Sequence, residues 1–303
     1  GAVDLPPIVR DGGLAWAFSG QGSQRPGMGE ALRAGFPAFA EEFDRVAARL
    51  DPLLDRPLAD VLGTDLVHDT EHTQPALFAL EVALAALLHR WGLRPDVLLG
   101  HSIGEVAAAH VAGVFDLDDA CVLVAARARL MRALPATGAM LSLIATREEA
   151  EELARGTLDV AAINGPRAVV LSGDADAVDD VARRAEDSGV KCRRLTVSHA
   201  FHSAHLDPVL DEFRAVVAEL TAHAPAVPLV SGVTGEPLTA GQAADPDHWV
   251  RQARREVRFL AAARAAHDTG AATFLELGPD AVLTAMLHDC LEGEDVRAAA
   301  MLR

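Results

Sequence analysis

The sequence predicts an α/β fold: a large domain around a central, mostly parallel sheet, interrupted by a small inserted ferredoxin-like (βαββαβ) subdomain. Three observations carry this expectation. Half of the residues are hydrophobic, yet aromatics are scarce and tyrosine is absent. The core must therefore be built from Ala, Leu and Val, which suits helices packed on a buried parallel sheet. Short apolar strands alternate with helix-period segments along most of the chain. Over residues 134–196 this pattern changes to the order β-α-β-β-α-β, the ferredoxin-like split arrangement. The expected division is 1–133 with 197–303 for the large domain and 134–196 for the insert.

Taken in order, residues 14–18 read as a strand running straight into Gly20-Gln21-Gly22-Ser23-Gln24. Residues 31–50 read as one helix, with Phe36, Phe39, Phe43, Val46 and Leu50 near a 3.6-residue period. Pro75 is expected in the first turn of a helix reaching Trp91, where a missing N–H is harmless. Residues 97–99 form a buried strand, followed by a sharp turn and helices over 105–113 and 117–134. In the insert, strands at 139–145, 158–163, 169–172 and 191–196 frame helices at 147–155 and 175–188. A His-rich loop at 198–205 leads to a helix ending near 222, a strand at 228–231 and helices at 246–255 and 257–269. A strand at 273–276 and a Gly278-Pro279 turn open the last helix. Residues 4–8, with Pro6 and Pro7, read as the end of a linker.

Composition excludes several classes. A net charge of −17 argues against nucleic-acid binding, whose footprint is basic, but a few placed arginines can still dominate a pocket. Cys121, Cys192 and Cys290 are widely spaced, which fits neither a disulfide framework nor a thiolate metal site and suits a reducing cytoplasm. No apolar run approaches the roughly 20 residues of a membrane span. The start carries no basic-then-apolar leader pattern.

The most specific local feature is Gly100-His101-Ser102-Ile103-Gly104 between a buried strand and a helix. A tight turn there lifts a serine hydroxyl out of the backbone, and flanking glycines relieve the crowding. The following amide and the helix N-terminus add positive potential where an oxyanion forms. The bland alternative is a Gly-rich turn without chemistry. A serine needs a base, and His68, His72, His89, His101, His110, His199, His202 and His205 are all candidates. The loop around His202 is favoured because loops on a rigid scaffold carry function. The H-x-x-H-x-x-H spacing of His199, His202 and His205 could suit a metal, but only Asp207 is at hand as a carboxylate ligand and no clear helix presents the run. No metal is expected.

Together these segments resemble the acyltransferase domains of modular polyketide synthases and the related malonyl-CoA:acyl-carrier-protein transacylases, from about Leu14 to about Leu291. The marks are Gly20-Gln21-Gly22-Ser23-Gln24, Gly100-His101-Ser102-Ile103-Gly104-Glu105, Arg127 within Ala125–Met131, Ala162-Ile163-Asn164-Gly165-Pro166, His199-Ala200-Phe201-His202-Ser203 and Glu276-Leu277-Gly278-Pro279. The resemblance implies an α/β-hydrolase-like catalytic domain. It implies Ser102 as nucleophile, His202 as base and the backbone amides of Gln21 and Ile103 as oxyanion hole. Arg127 would grip a free carboxylate bidentately. His101, Phe201, Asn164 and Gln74 would contribute to the acyl pocket. A main-chain carbonyl is expected to orient the base, which leaves no mark in sequence. Ser19 departs from the family, which usually has Pro before Gly-Gln-Gly.

Three segments resemble the malonyl-selective branch: residues 199–202, Ile103, and residues 69–74. The bulk of Phe201 would crowd an α-methyl branch, though one methyl is worth only about 1–3 kcal/mol. The implied reaction moves malonyl from malonyl-CoA to Ser102 and then to the phosphopantetheine of an acyl carrier protein within a larger synthase, with no bound cofactor. Arg193 with Arg194, or Arg251, Arg254, Arg255 and Arg258, would meet the acidic carrier. Rival readings are a methylmalonyl transferase, a serine esterase or thioesterase, a patatin-like lipase and a non-catalytic docking module. The esterase has no use for Arg127, the lipase lacks its late Asp-Gly pair, and intact Ser102, His202 and Arg127 argue against the last.

Overall fold

The computed structural model describes residues 12–197 and 199–302. The linker reading at 4–8 and the leader reading at the start lie outside them. Among the described residues nine strands form two sheets: β1 (Gly13–Phe18), β2 (Val97–Gly100), β3 (Gly138–Leu143), β4 (Asp159–Gly165), β5 (Ala168–Asp174), β6 (Cys192–Arg194), β7 (Leu229–Val230), β8 (Ala271–Leu277) and β9 (Arg297–Ala300).

The larger sheet has the order β7-β2-β1-β8-β9, and every pairing in it is parallel. Central β1 is buried from Leu14 through Phe18, as a strand covered by helices on both faces must be. Phe18 ends beside Gly100 of β2 and Leu277 of β8. The loops leaving three carboxyl ends therefore converge on one crevice, the usual ligand position in an open α/β sheet.

The second sheet is antiparallel with the order β4-β5-β3-β6, which is the ferredoxin-like order. The period-two alternation of its strands divides their side chains. Ala139, Leu141, Leu143, Val169 and Leu171 build a small core with helices Arg147–Ala154 and Ala175–Asp187. Met140, Ala162 and Val170 join the main core on the opposite face. Val257 exchanges two 2.9 Å backbone hydrogen bonds with Ala161 and Ile163 of β4, stitching this sheet to a loop of the larger body.

Several elements differ from the sequence expectation for identifiable reasons. The single helix over 31–50 is two, Glu30–Gly35 and Pro37–Leu50, because Phe36 precedes proline and adopts an extended conformation. The helix assigned to begin near Pro75 starts at Thr70, where the Asp69 side chain caps the Glu71 amide. Pro75 therefore lies inside that helix, where it forgoes one backbone hydrogen bond. The last helix starts at Val282, beyond the Gly278-Pro279 turn, and the Glu276 carboxylate accepts the Leu283 and Thr284 amides. The helix expected to reach 222 is a 3-10 turn, Ala204–Val209, then an α-helix, Leu210–Ala218. Edge strand β9 had no anticipated counterpart.

Candidate active site

Ser102 occupies the turn between β2 and helix Ile103–Val111 with φ 52° and ψ −116°. Such backbone costs a non-glycine residue about 1–3 kcal/mol and persists only where its surroundings enforce it. The flanking glycines make the turn sterically possible. A Cβ on Gly100 would lie 2.3 Å from the Glu105 nitrogen, and one on Gly104 would lie 2.3 Å from the Phe18 carbonyl oxygen.

The Ser102 Oγ lies 2.8 Å from His202 Nε2, across 100 residues of sequence. The other ring nitrogen, Nδ1, lies 2.8 Å from the Arg255 carbonyl oxygen. A carbonyl can only accept, so Nδ1 carries the proton and Nε2 presents its lone pair to the serine. Burial, then the charge of Arg127, pushes the His202 pKa down to about 3. The imidazole is therefore neutral, with its Nε2 lone pair free, at any physiological pH.

Arg127 projects from helix Leu117–Arg132 and is almost wholly buried. One guanidinium nitrogen donates to Ser102 Oγ at 3.1 Å and another to Gln74 Oε1 at 2.6 Å. Its Nε has no hydrogen-bond partner among the described residues. Burial lowers its pKa to about 10, opposed by nearby Glu105, so it stays cationic at neutral pH. Glu105 is itself buried, and desolvation raises its carboxyl to about 7 against hydrogen bonds from Ser231, Gln252 and the Gly232 amide.

These groups open on one cavity of about 500 Å³ between the two sheets. Its wall includes Gln21, His101, Ser102, Arg127, Asn164, Phe201 and His202, with apolar Met140, Val170, Leu283 and Met286 beyond them. His101 Nε2 donates to Asn164 Oδ1 at 2.8 Å, which joins the elbow to β4. Gln74, expected at the pocket, does not line it. It is wholly buried behind Arg127 and meets the cavity only through that side chain. The Ile103 side chain is buried too, which leaves its amide, at the helix start where N–H groups have no intrahelical partner, as the relevant group.

The three spaced histidines turn to different partners: His199 to the Leu134 carbonyl, His202 to Ser102, and His205 to Asp174. Arg254 pairs with Asp159 and Asp207, Arg251 with Asp245, and Arg258 with Glu256, which commits most of that cluster. Arg193 and Arg194 border the active-site cavity, and Arg194 also pairs with Asp179 at 2.5 Å. Among the described residues no helix is long and apolar enough to cross a membrane. Three groups around the elbow were assigned no role from the sequence: Gln252, Glu105, which stands in the elbow motif, and the Arg255 carbonyl, which fills the place expected of an unidentified main-chain carbonyl. Only Glu105 carried a signal, as an acidic residue one turn after the nucleophile.

A serine on a strand–helix elbow, hydrogen-bonded to a neutral histidine at the carboxyl end of a parallel sheet, is the arrangement of a serine acyltransferase or hydrolase class of site. Residues 15–302 match the acyl transferase domain family, and the chain belongs to it as an acyltransferase. It is 50% identical over 297 residues to polyketide synthase GfsA of Streptomyces halstedii, covering 94% of this chain but 4% of that protein. It also resembles the acyltransferase domain of the second module of the salinomycin polyketide synthase, with 49% identity and a TM-score of 0.92, covering 97% of this chain and 70% of that one. A malonyl-transacylase in complex with its type II polyketide acyl-carrier protein matches at 29% identity and a TM-score of 0.87, covering 95% and 96% of the two chains.

Proposed function

We propose that this domain moves a malonyl group from malonyl-CoA, through an ester on Ser102, to the phosphopantetheine thiol of an acyl carrier protein in a polyketide synthase. One observation carries the reading: Ser102 Oγ lies within hydrogen-bond reach of both a neutral imidazole and a buried guanidinium. The first activates an acyl-transfer nucleophile, and the second selects an acyl group bearing a free carboxylate.

His202 Nε2 takes the Ser102 proton as Oγ attacks the thioester carbonyl, and the amides of Gln21 and Ile103 receive the oxyanion. As the tetrahedral centre collapses, the C–S bond breaks and the CoA sulfur takes the proton from Nε2. The carrier thiol then gives its proton to Nε2, attacks the ester, and Ser102 recovers the proton as its C–O bond breaks. Each proton has a donor and an acceptor within the dyad and the substrates. Acyl-CoA and the carrier's phosphopantetheine enter as substrates rather than bound cofactors.

The electrostatics favour a carboxylated acyl group beyond simple binding. Arg127 is one reason that His202 resists protonation. A substrate carboxylate on the guanidinium offsets that charge and eases proton uptake during attack. Phe201 on the cavity wall supports malonyl over a branched extender. Arg193 and Arg194 at the cavity border suit the phosphates of CoA or the acidic carrier.

The test is intact-mass measurement after mixing with malonyl-, methylmalonyl- and acetyl-CoA, then adding a holo carrier protein. A malonyl adduct that Ser102→Ala abolishes and that moves to the carrier is expected. A dominant methylmalonyl adduct would reassign the extender, and release of free malonate without transfer would sink the transferase reading.

A further inference from the structure

The strained turn at Ser102 must be held by something, and backbone contacts supply only part of that hold. The Ser102 carbonyl oxygen accepts the Glu105 amide at 3.0 Å within the turn itself. Its second partner comes from 150 residues downstream, where Gln252 Nε2 donates at 2.6 Å from helix Pro246–Arg254. Gln252 is 4% exposed, so this amide is committed to the protein rather than to solvent.

Because a carbonyl can only accept, the amide's orientation is dictated: Nε2 must face Ser102. Buried Glu105 also receives a hydrogen bond from the Gln252 side chain, with Ser231 and the Gly232 amide as its further donors. The Gln252 amide thus lies between two acceptors on the elbow and its helix.

We propose that Gln252 is a positioning residue that aims the Ile103 amide at the oxyanion through the peptide unit this amide shares with the Ser102 carbonyl. This rests on the acyl-transfer reading above. A trans peptide is planar, with its C=O and N–H pointing opposite ways. Pulling the carbonyl toward Gln252 therefore turns the Ile103 N–H toward the opposite side of the elbow. The hydrogen bond also polarises that peptide and strengthens its N–H as a donor.

The same short run sets the base. Three residues after Gln252, the Arg255 carbonyl holds His202 Nδ1. The run is itself anchored, by Val257 to β4 and by the Arg258 amide to the Gly232 carbonyl at 2.7 Å. Residues 252–255 thus tie together the oxyanion donor, the nucleophile's backbone and the base, which the chain otherwise keeps 100 residues apart.

The experiment measures single-turnover acylation of Ser102 by malonyl-CoA in the wild type, Gln252→Leu and Gln252→Glu. For the leucine variant a rate loss of about tenfold or more is expected at saturation, since the oxyanion contact exists only in the transition state. The half-saturating malonyl-CoA concentration should stay within about twofold, because Arg127 is untouched. In the glutamate variant the new carboxyl donates to the Ser102 carbonyl only while protonated. The titratable group it meets is Glu105; of the others around the elbow, His202 and His248 are held at about 3 and 4, and Arg127 stays cationic. Two adjacent carboxyls share a proton above the ordinary carboxylate range, so activity relative to wild type should fall as pH rises through neutrality.

A leucine variant with an unchanged saturated rate, or with loss confined to half-saturation, overturns the assignment. So does a glutamate-to-wild-type ratio that stays flat with pH, and this arm decides if the leucine variant does not fold. A wild type that forms no Ser102 ester would instead remove the acyl-transfer reading itself.

Discussion

At the scale of single residues, His202 is governed by burial and by a neighbouring cation as much as by its hydrogen bonds. Desolvation and Arg127 lower its pKa to about 3, and only the Arg255 carbonyl opposes them among the larger influences. In the proposed mechanism the active form is the neutral imidazole, so activity that depends on it is retained above that pKa and lost as pH falls through it. The pH profile of kcat/KM should therefore show no histidine-like inflection near pH 6.5. Arg127→Ala should move the acid limb upward, because a cause of the depression is gone. The same variant should lose about 10–100-fold in kcat/KM for malonyl-CoA, the worth of charged hydrogen bonds of about 1.5–3 kcal/mol, and gain relative activity toward acetyl-CoA. An unmoved acid limb together with unchanged malonyl preference would take Arg127 out of both roles.

Among the elements, the strand–elbow–helix unit depends on close backbone approach. Gly104→Ala would drive a methyl into the Phe18 and Ser19 carbonyls. A loss of about 1–3 kcal/mol in unfolding free energy is expected from overpacking, with acylation reduced further because the elbow shifts. Denaturant melts paired with adduct formation would check this, and a fully stable, fully active variant would contradict it. The oxyanion loop is pinned by a different device: Ser19 Oγ donates to Glu276 at 2.9 Å, while Glu276 also caps the helix at Val282. The elbow and the insert's strand order were legible in sequence, since a short motif and periodicity record them, whereas the residues at the cavity were expected through the family resemblance and Gln74 lies behind that cavity. Gln252 and the Arg255 carbonyl were not legible, because a backbone acceptor has no side-chain signature and a lone glutamine on an amphipathic helix resembles any other. Helix starts were misplaced where a capping side chain, as at Asp69 or Glu276, decided the boundary instead of a proline or glycine.

Over the whole molecule, Glu81 is the ionisable carboxylate among the buried polar groups that lack a partner within the described residues, a set that also includes Trp16 Nε1 and His248 Nδ1. Glu81 is wholly buried near Glu276, and neither of its carboxyl oxygens makes a well-formed hydrogen bond among the described residues. Desolvation, then the charge of Glu276, raises its pKa well above the usual 4.5. A folded-state pKa above the unfolded one favours folding at low pH, and that advantage is lost as pH rises from 4.5 through the folded value. Glu81→Leu should therefore raise stability at pH 8, with the gain shrinking as pH falls toward 4.5. Thermal melts across that range would show it, and a pH-independent difference would mean that packing rather than ionisation governs the site. The inserted sheet and the larger body meet at Val257, so the cavity between them depends on the same backbone segment that orients the base.

In the proposed reaction, Arg127 would also bear on the fate of the malonyl ester. Carbon dioxide departs from a malonyl group only as the carboxylate surrenders its negative charge to the α-carbon. A buried guanidinium stabilises that charge where it starts and so deepens the well from which decarboxylation must climb. A malonyl ester held against Arg127 would thereby be shielded from premature loss of carbon dioxide. The free energy released by that loss would then stay in the acyl group until a later carbon–carbon bond-forming step could use it.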